Sequence, residues 1–251
     1  KIGKTELVEI QGEGGMILYG RLIKPSDFNE NMKYPVVVYV YGGPHAQRVT
    51  NSWRSKNMYF QYMVQQGYIV FQLDNRGSYN RGKAFEDPIY KHLGNPEVVD
   101  QIKGVEFLRT LDFVDANRIG IYGHSYGGYM ALMTMFKAGD YFQAGVSGAP
   151  VTDWNLYDTH YTERYLSHPK TNADGYEASN VFAYSEGLKG PLMIYHGMAD
   201  DNVHYQNTAE MVNALIKANK QFTQFSYPNK NHGIYGGNTR LHLYYLMTNY
   251  L

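Results

Sequence analysis

Residues 118–130, RIGIYGHSYGGYM, are the feature that most constrains how this chain folds. An apolar run ends at Gly123, and a stretch of small and apolar residues typical of a helix begins directly after Ser125. This order predicts a buried strand, a sharp turn and a helix. Glycine on both sides of the turn leaves room for neighbouring backbones to close around it. The G-x-S-x-G pattern in this setting is typical of a nucleophile elbow, which would hold the Ser125 hydroxyl exposed above a sheet.

The rest of the chain alternates strand and helix patterns. Continuous apolar runs predict strands buried on both faces, and helical periodicity predicts helices between them. We expect a hairpin at residues 6–23 and a helical excursion at 151–187, with Asn95 as the N-cap of a helix that begins at Pro96. Strands are predicted at residues 36–41, 68–73, 119–122, 143–148, 191–196 and 222–227, and further helices at 53–66, 126–137 and 203–219. The alternation predicts one α/β domain over residues 1–251, with an α/β-hydrolase fold in which helices cover both faces of a mostly parallel sheet.

Charge and composition exclude several classes of function. The formal net charge is zero, so the sequence provides no basic surface for nucleic acid. The chain has no cysteine, which excludes disulfides and thiolate metal sites. It also contains no apolar run of about 18 residues, the length typical of a membrane span, and no export signal.

A serine nucleophile needs a general base and an acid that orients the base. In this fold the chain order is serine, acid, histidine, and the last two follow late strands. Asp200 and Asp201 follow the strand predicted at 191–196, and His232 follows the strand predicted at 222–227. Spacing does not distinguish the two aspartates, and one of them could instead cap the helix predicted from residue 203. His232 is the candidate base.

The remaining histidines show no spacing typical of metal ligands, such as H-E-x-x-H. We therefore expect neither a metal ion nor a cofactor. These histidines are His45, His92, His124, His160, His168, His196, His204 and His242.

Six segments together resemble the catalytic domain of the dipeptidyl peptidase IV branch of the prolyl oligopeptidase family. The resemblance extends from about residue 34 to the end of the chain, and YTERY and HGMADDNV are far more specific than G-x-S-x-G. The segments are YGGP at 41–44, DNRGS at 74–78, GHSYGGY at 123–129, YTERY at 161–165, HGMADDNV at 196–203 and NHGI at 231–234.

The resemblance implies a role for individual residues. Ser125 would be the nucleophile, Asp200 the orienting acid and His232 the base. The Tyr41 hydroxyl and the backbone N–H of Tyr126 would form the oxyanion hole, where two aimed donors can lower the barrier by several kcal/mol.

The resemblance also implies a compact pocket for the side chain that precedes the cut bond, and a matching contact for the substrate backbone. Rings and valines would suit the flat, apolar pyrrolidine of proline. Asn202 would bind the carbonyl group of the first substrate residue. The pocket residues would be Tyr126, Val151, Trp154, Tyr157, Tyr161 and Val203.

The implied function is a serine exopeptidase that releases N-terminal Xaa-Pro and Xaa-Ala dipeptides through an acyl-enzyme. Alternatives are a prolyl tripeptidyl or acylaminoacyl peptidase of the same family, a carboxylesterase, and a catalytically silent interaction module. In this family a β-propeller precedes the catalytic domain and binds the free amine of the substrate. We therefore expect an N-terminal propeller in the full-length protein, which could also form a homodimer, and a periplasmic or secreted location.

Overall fold

A mixed eight-stranded sheet forms the centre of the computed structural model, which describes residues 1–53 and 57–251. The strand order across the sheet is β1-β2-β4-β3-β5-β6-β7-β8. The pairs β1/β2 and β2/β4 are antiparallel, and every later pair is parallel, so the predicted mostly parallel sheet is confirmed. The strands are β1 Lys4–Gln11, β2 Ile17–Lys24, β3 Tyr34–Val40, β4 Ile69–Asp74, β5 Val114–His124, β6 Ala144–Gly148, β7 Leu192–Gly197 and β8 Thr223–Tyr227.

Helices follow most of the parallel strands. In the part of the chain that the structure describes, none of them is long and apolar enough to cross a lipid bilayer. The helices are α1 Asn57–Gln65, α2 Lys83–Glu86, α3 Pro96–Arg109, α4 Tyr126–Lys137, α5 Thr159–Leu166, α6 Ala173–Ser179, α7 Gln206–Lys217 and α8 Thr239–Tyr250. The helix predicted at 53–66 is seen as α1, and residues 54–56 of that prediction lie outside the described residues.

The two faces of the sheet bury separate sets of side chains, as the alternation along β3 shows. Val36, Val38 and Val40 belong to a core that also contains the apolar residues of α3, α4 and α7. Val37 and Tyr39 point to the opposite face, into a core shared with α1 and α8. Because β3 is buried on both faces, its sequence is apolar throughout instead of alternating. Helices therefore cover both faces, as predicted.

Three helices differ from the predictions, and the first is the short helix α2, which was not predicted. Helix α7 begins at Gln206 and not at residue 203, because the backbone of Asn202 and Val203 bonds to a side chain instead of starting a helical turn. The sequence reasoning missed α8 altogether. Its buried residues Leu243 and Met247 are four residues apart, which is a helical spacing, but tyrosines and polar residues surround them. The excursion at 151–187 is helical as predicted and contains α5, α6 and short 3₁₀ turns.

Candidate active site

Ser125 lies between β5 and α4 in a strained backbone conformation. Its φ is 65° and its ψ is −123°, a region that residues with a side chain rarely adopt. The Ser125 N–H donates to the Gly148 carbonyl at 2.8 Å, and the Ser125 carbonyl accepts from Tyr129 at 3.0 Å. These bonds to β6 and α4 hold the serine in the turn. Such strain is typical of functional positions that the surrounding structure over-determines.

The two glycines of the elbow have no room for a side chain. A Cβ on Gly123 would collide with the carbonyl of Gly127, and a Cβ on Gly127 would collide with the carbonyl of Val40. The backbones of β5 and α4 are therefore in direct contact at the elbow, and the start of α4 is also in contact with the end of β3. This agrees with the sequence argument for glycine at both flanks.

The structure distinguishes the two candidate aspartates. The Nδ1 atom of His232 lies 2.6 Å from Oδ2 of Asp200, whose side chain is buried, whereas Asp201 is exposed. Oδ1 of Asp200 accepts the backbone N–H groups of Asn202 and Val203, each at 2.9 Å. Asp200 thus contacts the candidate base and also accepts the backbone N–H groups of the turn that follows it.

The Asp200 carboxyl is held in its charged form. Burial alone would raise the pKa of Asp200, but hydrogen bonds from His196 and His232 and the charge of His232 outweigh burial and lower that pKa below its ordinary value. An ionised carboxylate can only accept, so Nδ1 of His232 donates to it. This leaves Nε2 of His232 able to accept a proton. Ser125 and His232 line the same cavity, of about 340 Å³.

Tyr41, the predicted oxyanion donor, directly follows β3 and lies beside the elbow. Its ring centroid is 6.1 Å from that of Tyr126, the first residue of α4. Burial raises the pKa of Tyr41, and the guanidinium of Arg48, 4.1 Å from the ring centroid, opposes that rise. With a raised pKa, the Tyr41 hydroxyl stays neutral near pH 7 and keeps its proton to donate.

The end of β4 supports the loop that carries Tyr41. The two carboxylate oxygens of Asp74 accept the N–H groups of Arg48 and Val49, at 2.8 and 2.9 Å. The side-chain amide of Asn75 donates to the Gly42 carbonyl at 3.0 Å. The sequence singled out Asp74 and Asn75 only as part of the DNRGS segment, whereas the structure shows that they shape the loop beside the serine.

A second cavity, of about 90 Å³, adjoins Ser125 and brings together most of the predicted pocket residues. Trp154 stacks on Tyr161 at 6.0 Å between centroids and lies edge-on to Tyr157 at 5.9 Å. The Tyr157 hydroxyl donates to Oδ1 of Asn202 at 2.7 Å, which leaves the NH₂ group of Asn202 available as a donor. The lining residues are Tyr41, Ser125, Tyr126, Val151, Trp154, Tyr157, Tyr161 and Asn202.

Val203 is placed differently from the prediction. Its side chain is fully buried, and the described lining of the 90 Å³ cavity does not include it. Its backbone N–H donates to Asp200 and its carbonyl accepts from His196. The structure therefore places Val203 where it supports the acid rather than on the cavity surface.

Sequence reasoning missed a buried carboxyl group behind this cavity. Glu97 has no solvent exposure, and its Oε1 accepts the hydroxyl of Tyr126 at 2.6 Å. Burial raises the pKa of Glu97 to about 7, against the lowering effect of hydrogen bonds from the Gly94 backbone and Tyr126. An acidic residue in a first helical turn is usually a surface feature, so the sequence carries no signal of this contact. Asn95 occupies the N-cap position before Pro96, as predicted, but its side chain accepts from Lys137 and makes no capping hydrogen bond to α3.

Two further histidines adjoin the candidate triad. The Nε2 atom of His124 lies 2.9 Å from the backbone carbonyl of His232, and their ring centroids are 4.9 Å apart. Nδ1 of His124 lies 3.0 Å from the Tyr195 hydroxyl. Nε2 of His196 lies 3.0 Å from Oδ2 of Asp200. Within residues 1–53 and 57–251, no group of three or more histidine or acidic side chains is placed to hold a metal ion.

Known proteins resemble this chain in sequence and in structure. Residues 53–251 match the prolyl oligopeptidase family. Dipeptidyl peptidase 8 of Mus musculus is 39% identical over 254 residues, covering 97% of this chain and 28% of that protein. Prolyl endopeptidase FAP of Mus musculus is 34% identical, covering 100% of this chain and 33% of that protein. The crystal structure of Porphyromonas gingivalis dipeptidyl peptidase 4 superimposes with a TM-score of 0.94 at 41% identity, covering 99% of this chain and 35% of that one.

These similarities confirm the resemblance inferred from the sequence motifs, and the structural match confirms the α/β-hydrolase fold. The chain spans between a quarter and a third of the length of the curated relatives that it matches. With four fifths of its residues inside the matched region, the chain belongs to the prolyl oligopeptidase family of serine peptidases.

Proposed function

We propose that the chain is the catalytic part of a serine exopeptidase that releases Xaa-Pro and Xaa-Ala dipeptides from peptide N-termini. The observation that carries this proposal is a cavity lined by both Ser125 and His232, with His232 bonded to Asp200 and a 90 Å³ cavity of aromatic rings adjoining Ser125. A small cavity of rings accommodates a proline ring or a methyl group and excludes longer side chains.

The proposed reaction proceeds through an acyl-enzyme. His232 Nε2 takes the hydroxyl proton of Ser125 as the serine oxygen bonds to the substrate carbonyl carbon. The Tyr41 hydroxyl and the Tyr126 N–H donate to the oxygen that becomes negative. His232 then gives the proton to the leaving amine and the peptide bond breaks. A water molecule, deprotonated by His232, finally releases the dipeptide from Ser125.

The position of the cut is the part of the proposal that depends most on the relatives. The relatives include a protein named as a dipeptidyl peptidase and another named as a prolyl endopeptidase, so the family accommodates both exo- and endopeptidases. Because Tyr157 donates to the oxygen of Asn202, we propose that the NH₂ group of Asn202 donates to a substrate carbonyl. We propose that an N-terminal β-propeller of the full-length protein binds the free amine. The greater length of the relatives leaves room for such a domain.

We further propose a homodimer of the full-length protein and a periplasmic or secreted location. Exposed apolar side chains on α1 and α8, among them Met58, Leu241 and Tyr245, support association of copies. Sedimentation of the full-length protein tests the dimer, and cell fractionation tests the location. The location rests on the resemblance alone.

The deciding experiment is hydrolysis of Gly-Pro-p-nitroanilide by this chain and by its Ser125→Ala variant. Loss of the nucleophile should reduce turnover by roughly 10⁴- to 10⁶-fold. Equal turnover by the two proteins would refute the assignment of Ser125.

A substrate panel then fixes the specificity. With the full-length protein, a dipeptidyl peptidase should cleave Gly-Pro-p-nitroanilide far faster than its N-acetylated form, an Ala-Ala-Pro anilide or a p-nitrophenyl ester. Preference for the Ala-Ala-Pro anilide would indicate a tripeptidyl peptidase instead. Preference for the N-acetylated peptide would indicate an endo- or acylaminoacyl peptidase, and preference for the ester would indicate a carboxylesterase. Failure of a fluorophosphonate to label Ser125 would favour a catalytically silent module.

A further inference from the structure

We propose that His196 is a positioning residue of the triad. His196 and His232 both bond to Oδ2 of Asp200, and the bond from His196 limits how strongly the carboxylate stabilises a proton on His232. The inference rests on the proposed function, specifically on the role of His232 as base. Nothing in the peptidase mechanism described above uses His196, although it opens the HGMADDNV segment that supplies Asp200.

His196 lies in β7 and is completely buried, with three polar partners. Its Nε2 atom lies 3.0 Å from Oδ2 of Asp200 and 2.9 Å from the carbonyl oxygen of Val203. Its Nδ1 atom lies 2.7 Å from the hydroxyl oxygen of Thr208, on α7. A carboxylate and a carbonyl can only accept, so Nε2 must carry a hydrogen. When Thr208 donates to Nδ1, a neutral ring satisfies all three contacts.

Asp200 consequently accepts four hydrogen bonds, two at each oxygen. Oδ1 binds the N–H groups of Asn202 and Val203, and Oδ2 binds the two histidines. Oδ2 is only 2.6 Å from Nδ1 of His232, so His196 and His232 compete for the same oxygen. A donor on a carboxylate withdraws part of the negative charge that would otherwise stabilise a protonated neighbour. Without His196, Asp200 would hold the protonated form of His232 more strongly.

Other titratable groups surround this cluster, but they bond elsewhere. The Tyr205 ring packs on His196 at 5.5 Å between centroids, with its hydroxyl 2.7 Å from Ser226. Tyr157 donates to Asn202, His124 contacts the backbone carbonyl of His232, and Arg240 on α8 donates to the carbonyl of Gly233. Asp201 is exposed. His196 is therefore the side chain through which the charge on Asp200 Oδ2 can be changed without touching the base itself.

The test is the pH dependence of the rate at which a fluorophosphonate labels Ser125. This reaction needs the serine and its base but no peptide substrate, so it remains measurable if the proposed specificity is wrong. His196→Asn removes the donor, because the shorter side chain reaches Thr208 but not Asp200. His196→Gln keeps an N–H near the position of Nε2. Thr208→Val disturbs the same buried site without removing the donor.

We expect the acidic limb of the labelling profile to move about one pH unit upward in His196→Asn, the scale of one hydrogen bond to a charged group. On that limb the rate should fall about tenfold at fixed pH. His196→Gln and Thr208→Val should stay near the wild-type profile. An unshifted limb in a folded His196→Asn protein, or an equal shift in Thr208→Val, would overturn the proposal.

A measurement on the unaltered protein keeps the inference testable if His196→Asn does not fold. Nitrogen-15 spectra of histidine side chains should show His196 with its hydrogen on Nε2 and none on Nδ1 throughout the active pH range. A hydrogen on Nδ1 alone would overturn the proposal, since Nε2 could not then donate to Asp200.

Discussion

At the scale of single residues, Tyr126 combines three contributions that the sequence could only partly predict. Its backbone N–H is the proposed oxyanion donor, its ring lines the 90 Å³ cavity, and its hydroxyl donates to the buried Glu97. The family resemblance implies the first two. The hydrogen bond of its hydroxyl depends on Glu97, 29 positions earlier in the chain, and no local sequence pattern indicates such a contact. Tyr126 thus links the specificity pocket to a buried acid.

Glu97→Gln should make the protein more stable than wild type as the pH rises from 5 to 8. The folded-state pKa of Glu97, about 7, is raised above its ordinary 4.5, so its contribution to stability is complete below pH 4.5 and is lost as pH rises through 7. Glutamine stays neutral and still accepts the Tyr126 hydroxyl. The difference in unfolding free energy between variant and wild type should grow by up to about 3 kcal/mol.

Urea denaturation at several pH values measures this difference. Glu177→Gln, which changes an exposed carboxylate on α6, is the control and should run parallel to wild type. Parallel curves for Glu97→Gln and wild type would contradict the buried, protonated carboxyl.

Tyr41→Phe should lower kcat by roughly 10²- to 10³-fold, because one of two oxyanion donors is lost. KM should change little, since the ring and its stacking on Arg48 remain. Steady-state kinetics on Gly-Pro-p-nitroanilide separate the two constants. Tyr161→Phe also removes a hydroxyl from the cavity lining and should leave kcat nearly unchanged. Similar losses in both variants would assign Tyr41 to packing.

At the scale of elements, the strand, turn and helix around Ser125 form the most constrained part of the fold. Helix α4 is buried along almost its whole length, packs on β5 and β6, and begins directly after a residue with positive φ. The two elbow glycines allow this close approach. Because the constraint is local and needs specific residues, the bounds predicted for this helix, residues 126–137, agree with the structure.

Gly123→Ala should lower the free energy of unfolding by about 3 kcal/mol and abolish labelling of Ser125, because the new methyl group would displace the Gly127 backbone. Gly120→Ala lies in the same strand and meets only the end of the Leu251 side chain at 3.1 Å and a carbonyl at 3.4 Å. It should cost less than about 1 kcal/mol. Chemical denaturation and fluorophosphonate labelling compare the pair. Equal stability of the two variants would argue against a closed elbow.

Across the whole molecule, the parts of the fold that could be predicted are those determined by short, continuous stretches of sequence. The runs in β3 and β7 are apolar throughout because both faces are covered, so they stand out. The candidate serine, acid and base could be named because each follows a strand in the chain order of the fold. Spacing does not choose between Asp200 and Asp201; the family resemblance implies Asp200, and the structure supports it because Asp200 contacts His232 whereas Asp201 is exposed.

The parts that could not be predicted are long-range polar contacts and a weakly patterned helix. Neither the contact of Glu97 with Tyr126 nor that of Asp74 with the loop after β3 leaves a local signature. Val203 looked like a cavity residue, yet the turn that binds Asp200 buries it. Helix α8 was not predicted because only two of its residues, Leu243 and Met247, are buried, which gives a weak helical pattern.

The position of His232 beyond β8, the strand at one edge of the sheet, has a consequence for the cell that makes this protein. Ribosomes build a chain from its N-terminus, so Ser125 and its elbow are synthesised long before the proposed base. A nascent chain with β1 to β7 in place would carry the serine and the acid but no group to activate the nucleophile. Under the proposed mechanism, peptide cleavage would therefore begin only after His232 has been synthesised and β8 has joined the sheet.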